Sequence, residues 1–322
     1  MFLRTLSYRE DLQKRGVQVM AYKEREKSSS LLIMESLMNR SNLSKDERNR
    51  YAYLVKGLEG EQILDRRTEM LECDCLVLND LLLKINGTVV QIDSLLITAN
   101  GICIYEVKNY EGKYFYEAEK LYKLSTKREV MSPLIQINRS QTLLRQLVEQ
   151  LGFNVSVNAF VVFVNQQFTL YQAPPQEELL LPTLLNEHFA RINGISARLT
   201  KNHRRIAEEL KSLHMESSIF TDIPNYESEK LKRGITCSQC GVFMDDFTRS
   251  WTCTCKCCGH EELISGIVIR HAEEYKRLFP DQKITTSVIC KWCGNKLSAK
   301  RIWNILHHYY QSKGKGRWTY FE

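Results

Sequence analysis

Apolar positions change their spacing several times along the chain, and each change marks an element. In "GLEGEQILDRRTEM", starting at Gly57, Leu58, Leu64 and Met70 are available for packing along a helical pattern. Strand-like runs follow at 75–84, 88–98 and 102–109, and then aromatic alternation in "KYFYEAEKLYKLS". A proline-initiated helix is expected from Pro133 to about Leu151, and "VNAFVVFV" at 157–164 reads as a buried strand. Helix, antiparallel strands, helix, strand is the order of an α/β domain, expected to end near residue 175. Before it, residues 1–56 are polar and helix-prone, with breaks at Ser28-Ser29-Ser30 and Ser41-Asn42, and offer no chemistry. After it, the paired prolines of "QAPPQEE" mark a boundary. Residues 180–230 read as helices and connector, with "RLTKNHRRIAEELKSL" the clearest amphipathic piece. Beyond Lys230 the chain turns cysteine-rich and basic, so a different module begins.

Composition narrows the class. The longest apolar runs, Leu31-Leu32-Ile33-Met34 and Leu179-Leu180-Leu181, fall far short of the roughly 18 residues that cross a bilayer. The first residues, MFLRTLSYREDLQKRG, lack the apolar core of a signal peptide, so a cytoplasmic protein with no membrane partner is expected. The formal charge is +7, and from Leu231 onward 15 Lys or Arg stand against 8 Asp or Glu, so the whole excess lies in that region. Such asymmetry suits a polyanionic partner, although a merely soluble basic surface would look similar. Of the 11 cysteines, eight crowd between Cys237 and Cys293, a pattern of metal binding rather than of a secreted disulfide scaffold.

"QIDSLLITANGICIYEVKNYEG", residues 91–112, carries an Asp, a Glu and a Lys that a plain hairpin does not need. An Asn-Gly pair between alternating apolar runs predicts a tight reversal, because both central residues of a type I′ turn need positive φ. With Asn100 and Gly101 at the tip, Ala99 faces Ile102, Ile97 faces Ile104, Leu95 faces Glu106 and Asp93 faces Lys108. Asp93, Glu106 and Lys108 then project from one side of the sheet. Opposed Cβ atoms lie about 5 Å apart and diagonal ones roughly 7–8 Å, so the two carboxylates can share one ion. A hard cation such as Mg²⁺ or Mn²⁺ would relieve their repulsion, activate a water and neutralise a phosphoryl oxygen, with the lysine beside it. The competing reading is a solvated hairpin edge with a cross-strand Asp93–Lys108 ion pair.

The same stretch, together with "GLEGE" upstream and "SPLIQ" downstream, resembles the nuclease-related domain (NERD), a branch of the PD-(D/E)XK nuclease superfamily, over about residues 50–165. The resemblance implies a restriction-endonuclease-like mixed sheet flanked by helices. It also implies that Asp93 is the motif aspartate, that Glu106 and Lys108 are the E-x-K pair, and that Glu61 is the helical glutamate of the GxxGE element. Gln136 is similar to the glutamine at the start of the helix after the sheet. Taken alone, Glu61 would read as a solvated helix residue and Gln136 as a polar first-turn residue, and Glu59 is a decoy two positions away. Two departures stand out: Ser94 where the family often has His, and Ser132 where it often has Asn before Pro.

"CSQCG" at 237–241 and "CKCCG" at 255–259 are two C-x-x-C-G knuckles separated by 14 residues. Cys237, Cys240, Cys255 and Cys258 are expected to close a tetrahedral structural Zn²⁺ site, as in a zinc ribbon, with "VFMDDFTRSWTC" as the intervening hairpin. Cys253 and Cys257 are surplus, and His260 is an alternative ligand. "CKWCG" at 290–294 has no partner knuckle. "ITTSVICKWCGNKLSAKRIWNILHHYY" has instead the cadence of a helix-turn-helix, with a Ser/Thr-capped first helix, a turn at Gly294-Asn295 and Ser298 capping the second. Val288, Ile289 and Trp292 would be apolar contacts of the first helix, and Ile302, Ile305 and Leu306 the core stripe of the second. Lys296, Lys300, Arg301 and Asn304 would face a nucleic acid, joined by Lys313, Lys315 and Arg317 of a wing-like "SKGKGRWTYF". An undifferentiated helical cap and a Cys290/Cys293 metal site are the alternatives.

The expectation is therefore a metal-dependent nuclease acting on nucleic acid, DNA in the first instance. Its parts would be an N-terminal helical segment (1–50), the nuclease-like domain (51–175), a helical connector (176–230), a zinc ribbon (231–268) and a winged-helix-like tail (269–322). Two rivals compete: a non-catalytic DNA-binding adaptor that keeps the nuclease fold as scaffold, and a zinc-ribbon module for protein contacts.

Overall fold

The runs between residues 75 and 109 fold as three strands, β1 (Leu76–Ile85), β2 (Thr88–Thr98) and β3 (Gly101–Lys108), each antiparallel to the next. The computed structural model describes residues 21–118, 120–215, 223–247 and 251–322, with Arg317 described by its backbone alone. The chain divides into two units, Met1–Glu26 with Tyr53–Ser218, and Lys27–Ala52 with Ile219–Glu322.

In the first unit β3 continues sideways into β7 (Val157–Phe163) and β9 (Leu179–Leu180), both added in parallel, giving a five-stranded mixed sheet in the order β1-β2-β3-β7-β9. The sheet therefore extends past the paired prolines at 174–175. Residues 22 and 23 run along the outer edge of β1, bonded to the Val77 carbonyl. A second sheet, in the order β6-β5-β4-β8, is built from β4 (Gly112–Glu117), β5 (Lys120–Lys123), β6 (Arg128–Val130) and β8 (Phe168–Tyr171).

Helices cover both faces of the main sheet, as the apolar-on-both-sides strands require. The Pro133–Gln150 helix buries Leu134, Ile137, Leu144 and Leu147 at helical spacing against one face, where Ile206 and Leu210 of the Lys201–Ser212 helix also pack. The opposite face receives Leu64 of the Lys45–Glu69 helix and Leu185, Phe189 and Ile192 of the Leu185–Asn193 helix. The mixed α/β fold with flanking helices agrees with the expectation from sequence.

Two details differ. The helix expected from Gly57 starts at Lys45, because Ser44 and Glu47 cap it reciprocally: the Ser44 amide donates to Glu47 Oε2 at 2.7 Å and the Glu47 amide to Ser44 Oγ at 3.3 Å. Met70 is 73% exposed rather than packed, since it falls in the turn beyond that helix.

The second unit contains the cysteine knuckles. β10 (Ile235–Thr236) pairs with β11 (Phe243–Met244), and β12 (Thr252–Thr254) with β13 (Glu261–Leu263). "VFMDDFTRSWTC" is thus not a hairpin between the knuckles, because its two ends pair outward and each knuckle is the tip of its own hairpin. Three mutually packed helices follow, Ile264–Leu278, Thr286–Trp292 and Ala299–Tyr309. Thr285 and Ser298 cap the last two through their hydroxyls, and Gly294 and Asn295 make the turn with φ of 65° and 56°. A two-stranded hairpin, β14 (Ser312–Lys313) with β15 (Tyr320–Phe321), closes the chain and joins Ile284 through Phe321. Within this unit Arg40, fully buried, grips Glu274 with two nitrogens at 2.7 and 2.8 Å and lies over the Trp292 ring. Cys290 and Cys293 are buried in this core, and no second metal cluster forms there among the described residues.

Candidate functional site

The β2–β3 reversal lies one position earlier than its Asn-Gly signal suggests. Thr98 pairs with Gly101, so Ala99 and Asn100 form the loop, and the positive φ of 129° falls on Gly101. Gly101 passes close to the chain leading into β7, where a Cβ would meet Ser156 Oγ at 2.2 Å, and a side chain is excluded. The register is therefore Ile97 opposite Ile102, Leu95 opposite Ile104 and Ser94 opposite Tyr105. The pairing ends at Ser94, and this register continued by one step points Asp93 toward Glu106 rather than Lys108. The shift is by two positions, so parity is kept and Asp93, Glu106 and Lys108 remain on one side.

A feature of β1 and β2 frees Asp93. Leu76 and Leu78 share the main core with Leu81, Leu83 and Ile85, so the inward parity of β1 switches at Asp80, which has φ of 51°. In β2 the same switch lies between Ile92 and Leu95. Asn79 pairs with Ser94 and Leu81 with Ile92, leaving Asp80 and Asp93 facing each other as one extra residue per strand. Ser94, where the resemblance leads one to look for His, instead donates to Asn79 Oδ1 at 2.8 Å inside the sheet.

On β3 the Lys108 ammonium meets Glu106 Oε1 at 2.5 Å and Gln136 Oε1 at 3.5 Å. Gln136 arrives on the first turn of the Pro133–Gln150 helix. Ser132, just before that helix, is the one buried side-chain polar atom among the described residues with no hydrogen-bond partner. The Val107 amide donates to Asp93 Oδ2 at 2.8 Å, which fixes the carboxyl on the β2–β3 ladder.

Glu61 comes from the Lys45–Glu69 helix, brought close by Gly60: a Cβ there would stand 2.6 Å from Asn109 Cβ, immediately after Lys108. Glu59, the decoy, is exposed. What sequence reasoning missed is Arg25, in a segment that offered no chemistry. Its side chain is 5% exposed, donates to Glu61 Oε2 at 2.8 Å, forks onto Asp65 at 2.8 and 2.9 Å, and reaches the Asp93 carbonyl at 2.8 Å. No periodic pattern marks an extended segment of this kind, whereas the parity switches at Asp80 and Asp93 are visible signals of the acidic pair.

These acids repel one another in a poorly solvated place. Burial, with the Asp93 charge, pushes Glu106 up to about 7 against the pull of Lys108 and Gln136. Burial and Asp93 likewise push Glu61 up to about 8, although Arg25 opposes them. Burial also raises Asp93, with the Val107 amide and Lys108 opposing. For Lys108 burial disfavours the charge, yet Glu106 outweighs it and the ammonium is held more firmly than usual. An all-oxygen donor set with surplus negative charge fits a hard divalent cation. The acids do not, however, converge: among the described residues only four cysteines bring three or more candidate ligand atoms within 4.8 Å of one another. The cause is visible in the partners, since Arg25 holds Glu61 and Lys108 holds Glu106.

That converging group is Cys237, Cys240, Cys255 and Cys258. The Cys237–Cys258 and Cys240–Cys255 sulfurs are 3.6 and 3.7 Å apart, close to the ~3.8 Å edge of a tetrahedron with Zn–S bonds of about 2.3 Å. In each knuckle the glycine amide returns to the first cysteine's carbonyl, at 3.0 Å for Gly241 and 2.9 Å for Gly259. Amides of Cys258 and Cys257 lower the Cys255 thiol to about 7. Cys253 turns away toward the Asp246 carbonyl, Cys257 is exposed, and His260 contributes its carbonyl to the Cys255 amide. The donor set fits Zn²⁺.

In the closing module, Ile302 and Leu306 are buried and Ile305 half-buried, while Ile289 and Trp292 are buried and Val288 half-buried. Lys300 and Asn304 are exposed and Arg301 half-buried. Lys296 pairs with Asp245 and Lys313 with Glu322, both at 2.8 Å; Lys315 is exposed, and the Arg317 side chain lies outside the described residues. The exposed Trp303 and His307 rings stack at 4.7 Å on the same helix, a pair that sequence reading passed over.

The fold is thus a mixed sheet between helices, with two acids and a lysine where β2 meets β3 and a glutamate from the preceding helix. Residues 56–164 match the family model of the nuclease-related domain, and this part of the chain is such a domain. No curated protein and no solved structure matches the chain. No helix among the described residues is long and apolar enough to cross a membrane.

Proposed function

We propose that the protein is a metal-dependent phosphodiester hydrolase acting on nucleic acid, DNA in the first instance, in the cytoplasm. The supporting observation is the grouping of Asp93, Glu106 and Lys108 on one side of the sheet, with Glu61 and Gln136 brought to it, inside the nuclease-related segment. Asp93 and Glu106 would hold Mg²⁺ or Mn²⁺, with Glu61 assisting directly or through water. Such an ion supplies Lewis acidity at the phosphoryl oxygen and lowers the pKa of a bound water. Lys108, kept charged by Glu106, orients the attacking water or the charge that develops on phosphate. Gln136 donates its amide toward the same place and positions the phosphate. Arg25 holds the Glu61 carboxyl in place and opposes, without cancelling, the burial that keeps its proton on. We further propose that the first unit works as the nuclease-like domain, with residues 179–212 part of it rather than a connector, and that the second unit supplies a zinc ribbon (231–268) and a winged-helix-like tail (269–322). The Zn²⁺ would be structural, and Lys300, Asn304 and Lys315 would contact phosphates.

Metal-dependent nicking of supercoiled plasmid tests this reading. Wild type should cut with Mg²⁺ or Mn²⁺, and Asp93→Ala and Glu106→Gln should not, while both still bind DNA. Equal behaviour of wild type and variants would refute it. A second reading, a DNA-binding adaptor, draws on the fact that Arg25 and Lys108 already neutralise Glu61 and Glu106; it predicts DNA binding with no cutting under any divalent ion.

A further inference from the structure

The second sheet of the first unit has one face on the core and one outside. Tyr114, Leu121 and Phe168 point into the core, with Tyr116, Val130 and Leu170 packed against it. The alternate positions form the outer face, where a half-buried sheet ordinarily carries polar residues. Here the register sets Tyr122 of β5 opposite Phe115 of β4, and Phe115 opposite Tyr171 of β8. Three aromatic side chains thus stand in one row across three adjacent strands. The Phe115 and Tyr122 rings are stacked at 5.0 Å and 14°, and Tyr171 is 46% exposed. A cross-strand pair accounts for sheet stability at Phe115 and Tyr122, but a third exposed ring in the row adds little to it.

We propose that this row is a stacking platform for single-stranded nucleic acid. A base offers its π-face only when unpaired, and successive bases stack on aromatic side chains of a sheet with little regard to sequence. Charges of both signs flank the row: Glu129 of β6 stands opposite Tyr122 and pairs with Lys120 at 2.9 Å, and Glu117 lies two positions after Phe115, while Lys113, two positions before Phe115 on the same face, is exposed and makes no ion pair among the described residues. Lys127 in the β5–β6 turn is exposed as well, whereas Arg128 stands opposite Lys123 with the parity of the other face. The platform is continuous with the candidate acids through the chain: β4 begins four residues after Lys108, and β6 leads through Met131 to the helix that carries Gln136. Met131 and Ile135, exposed by 80% and 69%, extend the apolar path along that connection. The proposal deepens the nuclease reading and rests on it for the class of ligand; it assigns the substrate an unpaired strand beside the cutting site.

Fluorescence anisotropy of labelled dT12 and of a 12-base-pair duplex, on the full zinc-loaded chain with no added Mg²⁺ or Mn²⁺, tests it. Tyr171→Thr, and separately the Phe115→Thr/Tyr122→Thr pair with its fold checked by circular dichroism, should each weaken dT12 binding at least fivefold. Duplex binding should change less than twofold. Lys113→Gln should lower the slope of log affinity against log salt by about 0.7. Unchanged dT12 affinity in both ring variants overturns the proposal, as does ring-dependent binding of labelled decaproline without ring-dependent binding of dT12. Plasmid nicking separates the two readings. Nicking by wild type without a dT12 effect sinks the platform alone, whereas ring-dependent dT12 binding with no nicking sinks the hydrolase and leaves the platform standing.

Discussion

Metal binding at the candidate site should be tightly linked to protons, because burial holds Glu106 near 7 and Glu61 near 8 before any ion arrives. A cation must displace those protons. At pH 7 Glu106 is about half protonated and Glu61 about nine-tenths, so loading both releases roughly 1.4 protons; at pH 9 it releases about 0.1. Lowering the pH to 6 should weaken Mn²⁺ about tenfold through Glu106 and about a hundredfold through Glu61, to a combined limit near 10³. The unloaded fold has the opposite slope. Both carboxyls keep protons in the native state that the unfolded chain has already lost above about 4.5, so their contribution to stability falls as pH rises through 7 and 8. Titration calorimetry with Mn²⁺ in two buffers of different ionisation enthalpy counts the protons, and Glu106→Gln should remove about half a proton at pH 7. Affinity that stays flat from pH 6 to 8, with no buffer dependence of the heat, would refute the reasoning.

Other outcomes follow from packing. Gly60→Ala, whose Cβ would lie 2.6 Å from Asn109 Cβ, should destabilise the first unit by about 1–3 kcal/mol despite a better helix former, while Gly57→Ala, with open space around it, should stabilise by up to ~1 kcal/mol; denaturant unfolding reads both. Arg40→Met leaves Glu274 buried without its cation and should cost the second unit about 3–5 kcal/mol in the same assay, with Arg40→Met/Glu274→Leu recovering part of it. Zinc content should be a single equivalent in wild type, Cys253→Ser and Cys257→Ser, and be lost in Cys240→Ser; a colorimetric chelator assay decides.

Much of the fold was legible because its signals are local. A proline and apolar spacing marked the Pro133–Gln150 helix, hydroxyl caps at Thr285 and Ser298 bounded the last helices, and knuckle spacing named the four cysteines. The Asn-Gly pair at 100–101 misled by one position. Asn86-Gly87 does take the double positive-φ turn, but at 100–101 the approach of Ser156 put the positive φ on Gly101 and moved the loop back to Ala99-Asn100.

Sequence alone determined which residues could meet, since strand alternation puts Asp93, Glu106 and Lys108 on one side whatever the loop, provided its parity holds. Tertiary structure decided which of them do meet and in what charge state. Arg25 reaches Glu61 from 36 positions away, and Tyr171 joins Phe115 and Tyr122 through a parallel pairing across 56. Neither contact leaves a periodic trace, because a long-range contact depends on how separate elements pack, and the desolvation that lifts Glu61 and Glu106 exists only once that packing has closed around them.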